Sequence, residues 1–203
     1  IHDRFTKDDV VSMDGIEEAH DLHANALIIG FGRMGQVISQ PLIARGHSLS
    51  IIEKDPQMIR DADEFGFKVW YGDGTRLDVL HAAGAAEACL IVAVPDDKEA
   101  TTRIVELVKA EFPMVPVIAR AFDREHSLEL VQHNVDFQMR ETLHSALAMG
   151  REALVRLGDD PEVIEEVMEE IRNRDAERFE LECVGVISAW AALILSNRNT
   201  EPA

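Results

Sequence analysis

The sequence predicts an α/β protein built on a doubly wound parallel sheet of six strands, with a C-terminal helical extension. Three observations predict it. Short apolar runs alternate with helical patterns six times between residues 25 and 139. The runs are continuously apolar rather than alternating, as in strands covered on both faces. The first run leads directly into three glycines spaced Gly30-x-Gly32-x-x-Gly35, the signature of a Rossmann-like strand-to-helix turn.

The elements follow in order. "NALIIG" (25–30) reads as a buried strand, and residues 33–45 as the helix it feeds. "LSIIE" (49–53) is the second strand. The next helix covers 56–66, opening on Pro56 and stopping at Gly66. "FKVWY" (67–71) is the third strand, followed by the turn "GDGTR" and a helix near 76–83 ending at Gly84. "ACLIVAV" (88–94) is the fourth strand. Residues 97–112 form an amphipathic helix with Ile104, Val105, Val108 and Phe112 on one face. "VPVIARA" (115–121), "DREHSLELVQHN" (123–134) and "VDFQM" (135–139) supply a strand, a helix and the sixth strand. Two further helical patterns cover 141–157 and 161–182. The expected organisation is an acidic linker over 1–24, a nucleotide-binding domain over 25–140 and peripheral or dimerisation helices over 141–182. An apolar segment and tail fill 183–203.

The formal net charge of −18 is uneven. Residues 1–24 carry seven acids and two bases, and residues 159–182 carry eleven acids and three bases. Such a balance excludes nucleic acid as an expected partner, because phosphate backbones need a basic surface. Two cysteines, Cys89 and Cys183, make a disulfide framework improbable and favour a reducing compartment. The 13-residue apolar run 183–195 falls short of the roughly 18 residues a membrane span needs. The chain begins with Ile1 rather than Met, and the expectation is a piece of a longer protein.

In a glycine loop of this kind the first glycine permits the turn. The second lets backbone approach a pyrophosphate, and the third lets helix and strand pack closely. The phosphate then meets the free N–H groups of the helix N-terminus. Phe31, Arg33 and Met34 lie inside the loop, and Arg33 has the reach to touch a phosphate. Glu53, followed by Lys54, ends the second strand 23 residues after Gly30 and is expected to take the ribose hydroxyls. A carboxylate there repels a 2′-phosphate, so NADP is disfavoured. Asp73, Gly74 and Thr75 follow the third strand, Asp96 the fourth, and Arg120 ends the fifth. All belong to the carboxyl edge of the sheet, where ligands of such folds bind. Asp73 is a candidate acceptor for an adenine amino group.

A hydride-transfer enzyme needs an acid or base beside the nicotinamide. The only tyrosine, Tyr71, precedes Gly-Asp-Gly-Thr and lacks a lysine four residues on. No zinc spacing and no nucleophile elbow occur. A nucleotide-sensing module, not an enzyme, is the expectation. A small NAD-dependent oxidoreductase remains the alternative.

"GFGRMGQ", "FGFKVWYGDGTRLDVLHAAGA", "VIARAFD" and "MRETLHSALAMGREAL" resemble the cytoplasmic regulatory domain of Kef-type glutathione-regulated potassium efflux antiporters, an RCK (KTN, TrkA-N) domain. The resemblance covers roughly residues 25–182. It implies a homodimer, AMP or NAD(H) at the glycine loop, and control of a membrane potassium/proton antiporter domain in the same polypeptide. That places the chain at the cytoplasmic face of the inner membrane. The resemblance also implies a site for glutathione or its adducts and a flavodoxin-like ancillary protein as a further partner. A separate soluble regulatory subunit is the alternative arrangement. In the glutathione site Phe65 matches a displaced aromatic and Arg140 an arginine of the family. Gln40 stands where the family has a second arginine, and Asp175 where it has an asparagine. Both departures weaken a site for a tripeptide with two carboxylates. Asp175 also continues the stripe Ile171–Asp175–Phe179 at four-residue steps. A half-buried carboxylate there needs a partner, so the acid either faces the ligand cleft or pairs with an arginine such as Arg140; the alternative is a helix that is frayed or exposes its stripe at that point.

Overall fold

The structure, a computed structural model, describes residue 13 and residues 15–198, with side chains through residue 185. The expected linker residues 1–12 and 14, the tail 199–203 and the side chains of the apolar segment from 186 lie outside the described residues. Six parallel strands form one sheet in the order β3-β2-β1-β4-β5-β6. The chain divides into two compact units between Val117 and Ile118, and each is described by itself.

In the first unit β1 (Ala26–Ile29) pairs with both β2 (Leu49–Glu53) and β4 (Leu90–Ala93). Ile29 lies level with Ile52 on one side and Ala93 on the other. All four residues of β1 are buried, which explains why this strand reads as an unbroken apolar run. The core gathers Leu27, Ile28, Ile52, Ile91 and Ile104, each almost fully enclosed. Burying side chains of this size contributes about 1.5–3 kcal/mol each relative to leaving them exposed. Helix α1 (Arg33–Ala44) follows the glycine loop, with Gly32 at its N-cap and no side-chain cap. Helix α2 (Pro56–Glu64) is capped by Asp55, whose carboxylate accepts the Gln57 N–H at 2.8 Å. Helix α3 (Leu77–Ala82) precedes β4, and α4 (Lys98–Glu111) is capped by Asp97 accepting the Ala100 N–H.

Two expectations for this unit are corrected. The third strand, read as 67–71, is only Trp70–Tyr71 (β3). The Phe67 N–H closes the end of α2 on the Ala62 carbonyl, and its ring packs on Phe31 with centroids 5.1 Å apart. Its backbone is therefore not available to a ladder. The described part of the acidic linker is no open tether either. Residues 16–22 lie along the outer edge of β3, with a parallel bridge between Glu18 and Tyr71. Acidity hides this in the sequence, because backbone pairing leaves no side-chain pattern.

The second unit holds β5 (Val117–Ala121, divided from the first after Val117), α5 (Arg124–Gln132) and β6 (Phe137–Arg140), with β5 and β6 parallel. Asp123 caps α5 by accepting the His126 N–H at 2.8 Å. Helix α6 (Leu143–Leu157) ends at Gly158, which adopts φ 88°. Helix α7 (Pro161–Arg198) buries Ile164 and Met168. It runs past the expected stop at 182, because no proline or loop signal interrupts the apolar run that follows. No described helix is long and apolar enough to cross a membrane.

Candidate binding sites

A cavity of about 300 Å³ opens beyond the carboxyl ends of β1, β2, β3 and β4. Gly30 and Gly32 form one wall, Glu53 and Lys54 a second, Asp73, Gly74 and Thr75 a third, and Asp96 a fourth. Eight of the expected site residues thus meet at one place. The glycines are there for distinct reasons. Gly30 has φ 96°, and a Cβ on it would lie 2.7 Å from the Pro95 nitrogen. A Cβ on Gly35 would lie 2.3 Å from the Gly30 carbonyl oxygen, so the third glycine serves contact between helix and strand end. A Cβ on Gly32 would first meet the Asp96 carboxylate, 3.1 Å away.

Glu53 has a larger structural part than a ribose ligand needs. Its Oε2 accepts the Phe31 N–H at 2.7 Å, and its Oε1 accepts those of Lys54 and Asp55 at 2.7 and 2.9 Å. The carboxylate ties the end of β2 to the middle of the glycine loop. Phe31 itself is wholly buried and points its ring into the core. Asp73 accepts both the amide and the hydroxyl of Thr75 at Oδ1, at 3.0 and 2.7 Å. Burial raises its pKa, but the Thr75 hydrogen bonds and the Lys54 and Arg76 charges outweigh that and hold it below the usual range. Arg33 and Met34 begin α1 beside the loop, Arg33 exposed and Met34 half-buried. Met58 and Asp55, unforeseen in the sequence, also line the cavity from the start of α2. Their position just after Glu53 was the available signal.

Arg120, expected among the nucleotide ligands, has a different partner. It is 7% exposed, and its Nε and Nη2 donate to Glu141 Oε2 at 3.1 and 2.6 Å within the second unit. The same unit builds a second cluster. Asp175 accepts from both Nη atoms of Arg140 and from Arg124 Nη1 at 2.8 Å. Arg124 Nε donates to Glu182 at 2.6 Å, and the Phe179 ring lies under both guanidinium groups, 5.7 and 5.9 Å away. Hydrogen bonding from Arg140 is the main reason the Asp175 carboxyl sits below the usual carboxylate range. The remaining nitrogen of Arg124, Nη2, is buried without a hydrogen-bond partner. Gln40 and Phe65 belong to the first unit, Gln40 exposed on α1 and Phe65 79% exposed at the end of α2.

A doubly wound sheet with this glycine loop and strand-edge cavity defines the class of Rossmann-like, nucleotide-binding-type folds. The TrkA-N domain family matches residues 26–140, and the chain belongs to that family. Within it, the chain is related to the C-terminal domain of the Kef glutathione-regulated potassium efflux systems. It is 41% identical over 171 residues to a glutathione-regulated potassium-efflux system protein of Haemophilus influenzae, an alignment covering 84% of this chain and 28% of that protein. Identity to the KefC protein of Salmonella arizonae is 40% over 142 residues, covering 70% of this chain and 23% of that one. The chain therefore spans about a quarter of the length of these relatives. Among solved structures, the Shewanella denitrificans Kef CTD in its AMP bound form is 36% identical with a TM-score of 0.70, covering 78% of this chain and 97% of that one.

Proposed function

We propose that the chain is a nucleotide-binding regulatory domain that controls a potassium/proton antiporter from the cytoplasmic face of the membrane, as part of an integral membrane protein, without catalysis of its own. The cavity at the glycine loop carries this reading. Its shape is set before a ligand arrives, through the three hydrogen bonds that Glu53 accepts, and the N-terminus of α1, which has no side-chain cap, begins directly after its glycine wall. The relation to a Kef domain in AMP-bound form supports an adenine nucleotide.

AMP fits the cavity better than NAD(H). A volume of about 300 Å³ is at the small end for ligand pockets. The Asp96 carboxylate also lies against Gly32, on the β4 side where a dinucleotide crosses to its second half. NADP is disfavoured because Glu53 brings a negative charge to the ribose end. Calorimetry decides the reading. AMP, ADP or NADH should bind the purified chain with a saturable isotherm, AMP tightest, and no heat from any of the three overturns it.

Homodimerisation is part of the same proposal. Helix α6 buries none of its residues, and Met149 and Leu157 are 75% and 79% exposed. Val163 and Ile171 extend the apolar surface along α7. Faces of this kind suit a second copy, through which ligand binding changes the geometry of a pair and so the transporter.

A further inference from the structure

We propose that the segment 16–22 is a detachable edge strand whose docking on β3 is thermodynamically linked to ligand binding in the glycine-loop cavity. The inference rests on the reading of that cavity as a nucleotide site. Tyr71 is the point of attachment. Its N–H donates to the Glu17 carbonyl at 2.8 Å, and its own carbonyl accepts the Ala19 N–H at 3.0 Å. Both backbone groups of this residue are thus given to the segment and none to β2. Farther along, the Leu22 N–H reaches the Ala82 carbonyl at 3.0 Å, and Glu17 pairs with Lys68. The segment is held by a few backbone bonds and exposed charges, with little apolar burial. Attachments of that kind open at low free energy.

What it is attached to gives the opening a consequence. Tyr71 stands level with Glu53 across the β2–β3 pair. The next amide, Gly72, donates to the Glu53 carbonyl at 2.9 Å. The Glu53 carboxylate holds the Phe31 N–H of the glycine loop. On the other side, Asp73 and Thr75 follow Tyr71 within four residues and wall the cavity directly. A second cavity, of about 310 Å³, lies between the segment and this wall, lined by Glu18 and Ala19 on one side and by Gly72 and Asp73 on the other. The two cavities share Gly72 and Asp73. Releasing the segment removes both backbone partners of Tyr71 and frees the wall to move. A ligand that needs the wall in its docked position then favours docking, and docking favours the ligand by the same factor.

Hydrogen exchange on the 203-residue chain tests the linkage, with AMP as probe. Saturating AMP should slow exchange at the Ala19 and Tyr71 amides by about fivefold or more, the range of an ordinary coupling. Ala19→Pro, which removes the N–H given to Tyr71, should weaken AMP binding by about fivefold. AMP that binds the parent chain while exchange at both amides stays unchanged overturns the linkage and leaves the nucleotide reading standing. Unchanged AMP affinity in a folded Ala19→Pro chain does the same. No AMP binding to the parent chain overturns the cavity reading and the linkage with it. Should Ala19→Pro fail to fold, the exchange comparison on the parent chain decides alone.

Discussion

Gly30→Ala is expected to abolish nucleotide binding and to destabilise the fold, whereas Gly32→Ala abolishes binding and leaves the fold intact. At Gly30 two penalties add. The residue has φ 96°, and L residues pay about 1–2 kcal/mol for a left-handed backbone. The new Cβ also meets the backbone of Val94 and Pro95 at 2.7–2.8 Å, and that backbone, tied to β1 through the Val94 N–H and the Ile29 carbonyl, has little room to give. A total loss of about 3 kcal/mol follows, near the upper end of ordinary single substitutions. At Gly32 the nearest atoms belong to the Asp96 side chain, at 3.1 Å, which can turn away. The methyl group then occupies the ground a phosphate needs. Thermal melts and calorimetry on the two variants separate the effects. Equal melting temperatures would sink the distinction between a structural and a ligand-facing glycine.

Removing the Asp175 carboxylate should loosen the second unit and change its response to glutathione. Asp175→Ala leaves Arg140 and Arg124, 16% and 23% exposed, without their shared counter-charge. Breaking a fully buried pair costs about 3–5 kcal/mol. The partial exposure here reduces that to about 2 kcal/mol. The pH dependence carries a sign. A lowered carboxyl pKa means stability that is present above the unfolded value and lost as pH falls through the folded one. The parent chain should therefore lose this contribution as pH falls through and below the ordinary carboxylate range, and Asp175→Ala should show a flatter acid limb. Millimolar glutathione should not raise the melting temperature of the parent chain, because the two arginines are already engaged. Asp175→Asn restores the residue of the resembling family and should let glutathione stabilise the domain. A clear upward shift in the parent chain would remove the case for an internally filled site.

The centre of the sheet was legible because β1, β2 and β4 are buried along almost their whole length, whereas β3 and β6 are half-buried or exposed. "ALII" and "LIVA" have no room for a polar residue, and the helices between them start at Asp55, Asp97 and Asp123, each a working cap. The glycine loop, Glu53, Asp73 and Asp96 were legible as a set, because strand ends in this architecture share one edge. What could not be read was partner choice. An acid at the end of β2 can face a ribose or hold the loop that faces the phosphate, and nothing in the spacing separates these. Arg120 bonds Glu141, 21 residues on, a contact made only once β5 and β6 pair. Asp175 was the reverse case. Helical spacing placed it on the apolar stripe, and pairing with a cation such as Arg140 was one of the readings this left open, the one the structure shows. The edge segment 16–22 left no trace, since main-chain pairing is blind to side-chain identity.

The cavity lining has one more consequence, in its response to salt. Among the described residues it carries five carboxylates, Glu53, Asp55, Asp73, Asp96 and Asp97, against a single cation, Lys54. A nucleotide phosphate therefore enters against a field of its own sign, on a chain of net charge −18. Attraction comes from the short-range N–H groups of the loop and helix, which counter-ions barely screen, while the repulsion is long-range and fades over a Debye length of about 8–10 Å. Raising ionic strength should thus tighten nucleotide binding, opposite to the usual behaviour of phosphate sites built on lysine and arginine. Calorimetric titrations at low and moderate potassium chloride read this directly. In a domain proposed to govern potassium efflux, the transported salt itself would then help set how full the site is.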